Sequence, residues 1–145
     1  MKVNVGKQDK MKHSKLAALL AAAGMCFLAG CGARLQLPEM PVVYQQAVGD
    51  EYTYLTEDNK VYVPYCPYES DLLGKCIGYC DIESMESGDT VRVYICELQG
   101  YSSDQWIVEV LDTGYTREGM ILRELNATEI PEGLSSEYEW NRIDY

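Results

Sequence analysis

The chain has one histidine, His13, and it lies ahead of the apolar run at residues 16–29. Everything beyond that run lacks an imidazole, which excludes Ser-His-Asp and Cys-His machinery and any histidine metal ligand there. Basic residues are scarce too. Five of the 12 Lys and Arg and one of the 23 Asp and Glu precede residue 31, leaving seven bases against 22 acids, a formal charge of −15. Such a field opposes nucleic acid and anionic membrane surfaces, and it favours solubility through self-repulsion. Helical periodicity is also missing, since no stretch from Val42 to Leu125 repeats its apolar residues every 3.6 positions. No internal repeat is present.

What stands at the N-terminal end is a targeting pattern. Lys2, Lys7, Lys10, Lys12 and Lys15 face a single acid, Asp9, and an uncharged run ending in small residues follows. This is the layout of a secretory signal. As a helix the run of about 14 residues covers roughly 21 Å, short of the ~30 Å hydrocarbon core, so a permanent transmembrane helix is disfavoured. Met11-Lys12-His13-Ser14-Lys15 is itself a complete basic region, and starts at Met1 or Met11 lead to the same mature protein.

The run closes on Leu28-Ala29-Gly30-Cys31. This tetrapeptide resembles the lipobox of bacterial lipoproteins at all four positions. The resemblance implies that Leu28, Ala29 and Gly30 are read by the signal peptidase, that cleavage leaves Cys31 as the new N-terminus, and that its sulfur carries a diacylglyceryl group. Each buried CH₂ adds about 0.8 kcal/mol, and two acyl chains hold where one is marginal. The expected location is the extracytoplasmic face of the cell membrane, with the membrane as partner through the Cys31 lipid.

The plan is then a signal peptide at 1–30, a lipidated Cys and tether at 31–41, a β-rich domain at 42–134 and an acidic C-terminal tail at 135–145. Removing the signal leaves 115 residues, enough for one domain. Strand patterns occur at Val42–Gln46, Glu51–Thr56, Lys60–Tyr65, Lys75–Glu83, Thr90–Leu98, Gln105–Leu111 and Met120–Leu125. Glu57-Asp58-Asn59 predicts a hairpin turn, Pro64 an edge or strand end, and Gly78 a bulge or close approach. Six or seven short strands at this spacing predict an all-β fold, a small antiparallel sandwich or barrel. Its core is expected from Val61, Val63, Ile77, Val91, Val93, Ile95, Trp106, Val108, Val110, Ile121 and Leu122.

Tyr62-Val63-Pro64-Tyr65, Gly74-Lys75-Cys76-Ile77-Gly78-Tyr79, Gly100-Tyr101-Ser102-Ser103-Asp104, Trp106-Ile107-Val108 and Ile130-Pro131-Glu132-Gly133-Leu134 follow one another along this region. In these segments the mature domain resembles small uncharacterised lipoproteins of Gram-positive gut anaerobes. The resemblance brings no activity with it.

Four cysteines lie beyond Cys31: Cys66, Cys76, Cys80 and Cys96. They are candidate disulfide partners, with buried free thiols and a Cys₄ zinc site as the rival readings. In an extended strand Cys76 and Cys80 share a face about 13 Å apart, too far for one bond or one ion unless Gly78 bends the strand sharply. Each has Cys66 or Cys96 as an alternative partner across the sheet. All twelve Tyr also fall in the mature chain. They suit half-buried β faces, and the alternative is an aromatic platform for glycan or peptide, with Trp106 and Trp140 as candidate contacts. Asp81, Glu83, Glu86 and Asp89 surround one turn but match no calcium-loop spacing, and neither a metal nor a cofactor is expected.

Two function classes follow. One is a surface-displayed binding or structural module for an envelope protein or other surface ligand, with no nucleic-acid partner and no catalysis. The other is a carboxylate-based envelope hydrolase drawing on Asp81, Glu83, Glu97 and Glu109. It needs two carboxyl groups ~5–9.5 Å apart in a cleft.

Overall fold

Alternating apolar and polar residues put side chains on opposite faces of an extended backbone, and the chain forms seven strands where that alternation runs. The computed structural model describes residues 33–84 and 86–141. The signal segment with His13 and the Leu28-Ala29-Gly30-Cys31 motif lie outside the described residues. The strands are β1 (Val42–Val48), β2 (Thr53–Glu57), β3 (Lys60–Pro67), β4 (Leu73–Glu83), β5 (Thr90–Leu98), β6 (Trp106–Asp112) and β7 (Arg117–Glu124). Each falls on one of the seven patterns read from the sequence. Among the described residues no helix is long and apolar enough to cross a membrane.

The fold is all-β, and its sheet closes into a barrel in the order β1-β2-β3-β7-β6-β5-β4. β2 and β3 form the expected hairpin, Glu57 pairing with Lys60. Asp58 (φ 43°) and Asn59 (φ 66°) supply the two positive φ angles that match a tight turn to the twist of its strands. Every neighbouring pair is antiparallel except β1 and β4. Those two run parallel, Val42 opposite Gly78 and Tyr44 opposite Cys80, and their pairing closes the cylinder. At that seam a β-carbon on residue 78 would sit 2.1 Å from the Val42 carbonyl oxygen. Only glycine lets the two backbones approach so closely.

The inner face is filled by all seven strands, and the outer face is covered over β3, β6, β7 and the second half of β5. Inside the barrel every strand contributes: Tyr44, Leu55, Tyr62, Cys80, Val93, Ile95, Ile107 and Leu122 form one buried cluster. In so small a barrel such side chains fill the interior. Outside, the opposite parity packs Tyr65, Cys66, Cys96, Leu98, Trp106, Val108, Val110 and Ile121 into a second cluster. It is covered by Leu35, by Tyr68 and Leu72 before β4, by Tyr101, and by Ile130 and Leu134. Trp106-Ile107-Val108 is thus buried on both sides. Of the expected core, Val91 departs, standing 40% exposed at the start of β5, while Val61 is half-buried outside both clusters and Ile77 is partly buried against the inner one.

Segments beyond the strands are tied down by polar contacts. The Leu35 N–H donates to the Asp112 carboxylate at 2.8 Å, and Arg117 pairs with the same group at 3.4 Å. These donors, the Leu35 amide first, hold the Asp112 carboxyl below the ordinary range. At the C-terminal end Glu139–Asn141 forms a 3-10 turn. The buried Arg123 donates to Asn141 Oδ1 at 3.2 Å, Asn141 Nδ2 donates to the Pro64 carbonyl, and so does Trp140 Nε1 at 3.2 Å. The tail through Asn141 is therefore part of the folded unit.

The seam gives a direct test. Gly78→Ala is expected to destabilise the domain by about 3 kcal/mol, the upper end of the cost of forcing a methyl group into packed structure. A urea melt checks this, and unchanged stability would mean that β1 and β4 do not meet.

Candidate functional site

The two ends of the barrel differ. At the end holding the β2–β3 turn, the β5–β6 loop folds across the opening. The Tyr62 hydroxyl donates to the Ser103 carbonyl at 3.0 Å, Lys60 pairs with Asp104, and the Glu124 N–H donates to the Gln105 carbonyl at 2.8 Å. The other end carries the β1–β2, β4–β5 and β6–β7 turns, and among the described residues no loop folds across it.

A cavity of about 120 Å³ lies at this open end, lined by Thr53, Tyr54, Leu55, Pro64, Glu109, Met120 and Leu122. The register explains its shape. Glu109 stands opposite Ile95 on β5 and Met120 on β7, so its side chain has the parity of the interior. It is the one acid among the lining residues. Burial raises its carboxyl above the ordinary glutamate range. Across the interior, burial pushes the Cys80 thiol up to about 11, with Glu109 and then Asp81 adding to it.

The lip of the opening is aromatic and acidic. Gly49, Asp50, Glu51, Tyr52 and Tyr54 line a second hollow of about 290 Å³, and Tyr54 belongs to both. The Gly49 N–H donates to the Tyr52 carbonyl at 2.9 Å and holds the turn that carries these residues. Behind the lip the rings continue as a ladder. Tyr54 meets Tyr52 edge-on at 6.4 Å, Tyr52 meets Trp140 at 4.6 Å, and Trp140 stacks on Tyr138 at 4.6 Å and 7°. Trp140 is thus clasped by Tyr52 and Tyr138, and it braces the lip against the C-terminal turn. Val48 (68% exposed), Val91 and Tyr115 (97%) also stand uncovered on strand ends and turns at this end.

The other candidates are dispersed. Trp106 is fully buried, its Nε1 donating to the Glu129 carbonyl at 3.0 Å, so it packs the outer core and offers a ligand nothing. Asp81 is held on the outer surface by a two-pronged contact from Arg92 at 2.7 and 2.9 Å, and that guanidinium also lies over the Tyr79 ring at 4.0 Å. Glu83 is exposed, and Glu97 is half-buried on β5 outside the cavity lining. The four acids are not gathered in one cleft.

The four cysteines are free thiols. Cys80 points into the barrel while Cys66, Cys76 and Cys96 belong to the outer layer, so the four sulfurs do not gather at one point. The expected shared face of Cys76 and Cys80 is corrected by the register: shifts on both sides of Cys76 break the alternation and turn the two to opposite faces.

Glu109 and the Tyr52–Tyr54 lip were legible as residue types but not as a site. Three registers and the barrel closure are needed to bring β2, β3, β6 and β7 around one opening. No family model matches this chain, and no curated protein or solved structure matches it either.

The buried carboxyl sets a pH dependence. An acid whose pKa is raised by folding favours the native state below its unfolded value of about 4.3, and that help is lost as pH rises through the raised value. Glu109→Gln is therefore expected to melt at a higher temperature than the parent at pH 8, with the gap closing toward pH 4. A lower melting temperature at both pH values would mean that the carboxylate is stabilised by a partner.

Proposed function

We propose that this chain is a membrane-anchored cell-surface lipoprotein, held through lipid on Cys31, whose barrel is a binding module for an envelope ligand. The observation supporting the binding reading is the open barrel end. A small cavity with one inward carboxyl, Glu109, adjoins a lip of Tyr52, Tyr54, Asp50 and Glu51, and Val48, Val91 and Tyr115 are left uncovered around it. Aromatic residues beside a small, mainly apolar pocket with a single buried carboxyl are what binding surfaces use for anchoring. A ligand suited to this end is uncharged or cationic, because the acids of the lip add to a chain already far on the negative side.

The anchor fits the same reading. Leu28-Ala29-Gly30-Cys31 precedes the first strand by about ten residues. The hydrolase alternative needs a pair of carboxyl groups at one cavity, and the lining residues supply a single one.

The test is co-sedimentation of the detergent-solubilised full chain with purified cell wall and with envelope protein extract. Binding to one of these is expected, and Tyr54→Ala or Glu109→Gln is expected to weaken it about tenfold, the effect of losing roughly 1.4 kcal/mol. Gln99→Ala, in the loop at the closed end, leaves it unchanged. Cys31→Ala in the producing cells is expected to leave unprocessed, unlipidated precursor. Binding to neither material, or binding indifferent to both lip and cavity variants, would overturn the reading.

A further inference from the structure

Cys76 on β4 and Cys96 on β5 stand directly opposite each other in the antiparallel ladder. Opposed residues in such a ladder have Cα atoms about 4.5–5.5 Å apart, inside the ~4.4–6.8 Å span of a disulfide. The remaining cysteines are excluded by the same register. Across the outer face one row runs Cys66, Ile121, Val108, Cys96, Cys76. Cys66 is therefore three strand spacings from Cys96, about 14 Å. Cys80 faces the barrel interior, on the far side of the sheet.

The two opposed thiols are unlike each other. Cys96 is fully buried, whereas Cys76 is partly open to solvent. The Cys76 S–H donates to the Gly78 carbonyl at 3.5 Å. The Cys96 side chain opposite holds the Cys76 thiol below its ordinary range against the opposing effect of burial, and Cys76 together with burial pushes Cys96 up. The Cys66 and Cys80 thiols are both pushed up by burial, to about 11. The ladder is also interrupted on both sides of Cys76, between Leu73 and Cys76 and between Cys76 and Gly78. Bulges of this kind re-aim a side chain and relax the pairing around it.

We infer that Cys76 and Cys96 form a thiol–disulfide redox site, with Cys76 as the attacking group and Cys96 as the resolving one. The co-reactant is a low-molecular-weight disulfide. The Cys76 thiolate attacks one of its sulfurs, a Cys76 mixed disulfide forms, and the other half leaves as a thiolate. That thiolate takes the Cys96 proton. The Cys96 sulfur then attacks the Cys76 sulfur, closing the β4–β5 bridge and expelling the second half of the reagent as a thiolate, which is protonated from solvent. Two protein thiols are oxidised and one external disulfide is reduced to two thiols. The site lies on the outer wall, away from the barrel mouth, and does not rest on the binding reading.

The test is differential alkylation and peptide mapping of the full chain before and after exposure to oxidised glutathione. Before exposure, Cys76 is expected to alkylate about tenfold faster than Cys66 or Cys80 at neutral pH. Afterwards, a Cys76–Cys96 linked peptide is expected, with Cys66 and Cys80 still alkylatable. In Cys96→Ser the reaction is expected to stop at glutathionylated Cys76. A linkage involving Cys66 or Cys80 would overturn the inference, as would no loss of Cys76 and Cys96 thiols in the unsubstituted chain.

Discussion

The closure of the barrel depends on the close approach at the β1–β4 seam, the Gly78 backbone against the Val42 carbonyl. Six of the seven strand contacts are antiparallel, and most join strands linked by a short turn, which local chain geometry favours. The β1–β4 contact is parallel and brings together residues 42–44 and 78–80 across two intervening strands. Without it the sheet has two open edges. With it, all seven strands surround one interior, and Tyr52 in the β1–β2 turn and Tyr54 on β2 stand at the same end as the cavity that Glu109 lines.

Closure also explains why β3, β6, β7 and the second half of β5 are apolar on both sides. One parity fills the barrel, while the other needs cover from outside, and the chain supplies it from segments without regular structure. Leu35 comes from ahead of β1, Leu72 from the 3-10 turn before β4, and Ile130 and Leu134 from the stretch after β7. Polar anchors hold these covers in place. Asp112 takes Leu35 and Arg117, and the Pro64 carbonyl takes Trp140 and Asn141.

The strands were legible because alternation is a local signal, clearest in Thr90–Leu98, whose bounds agree with β5 at both ends. The hairpin at Asp58-Asn59 was legible for the same reason, as was the special role of Gly78. The parallel seam was not, because nothing in Val42–Val48 names β4 as its partner. Bulges defeat face assignment as well. One extra residue near Ile77 sends Cys76 outward and Cys80 inward, although their spacing in a regular strand puts them together. Trp106 and Trp140 look equivalent in the sequence, and only tertiary packing makes one a core residue and the other a brace behind the lip.

If the open end is where ligand is met, the two tryptophans of the domain must report differently. A ¹⁵N–¹H spectrum resolves the two indole N–H groups, one buried against the Glu129 carbonyl and one held by the Pro64 carbonyl at the edge of the mouth. On titration with muramidase-solubilised cell wall and, separately, with envelope protein extract, the Trp140 signal and the Tyr52, Tyr54 and Glu109 amides are expected to shift with one of the two. The Trp106 indole is expected to stay in place. Shifts confined to the closed end around Ser103 and Asp104, or no shift with either material, would contradict a ligand site at the barrel mouth.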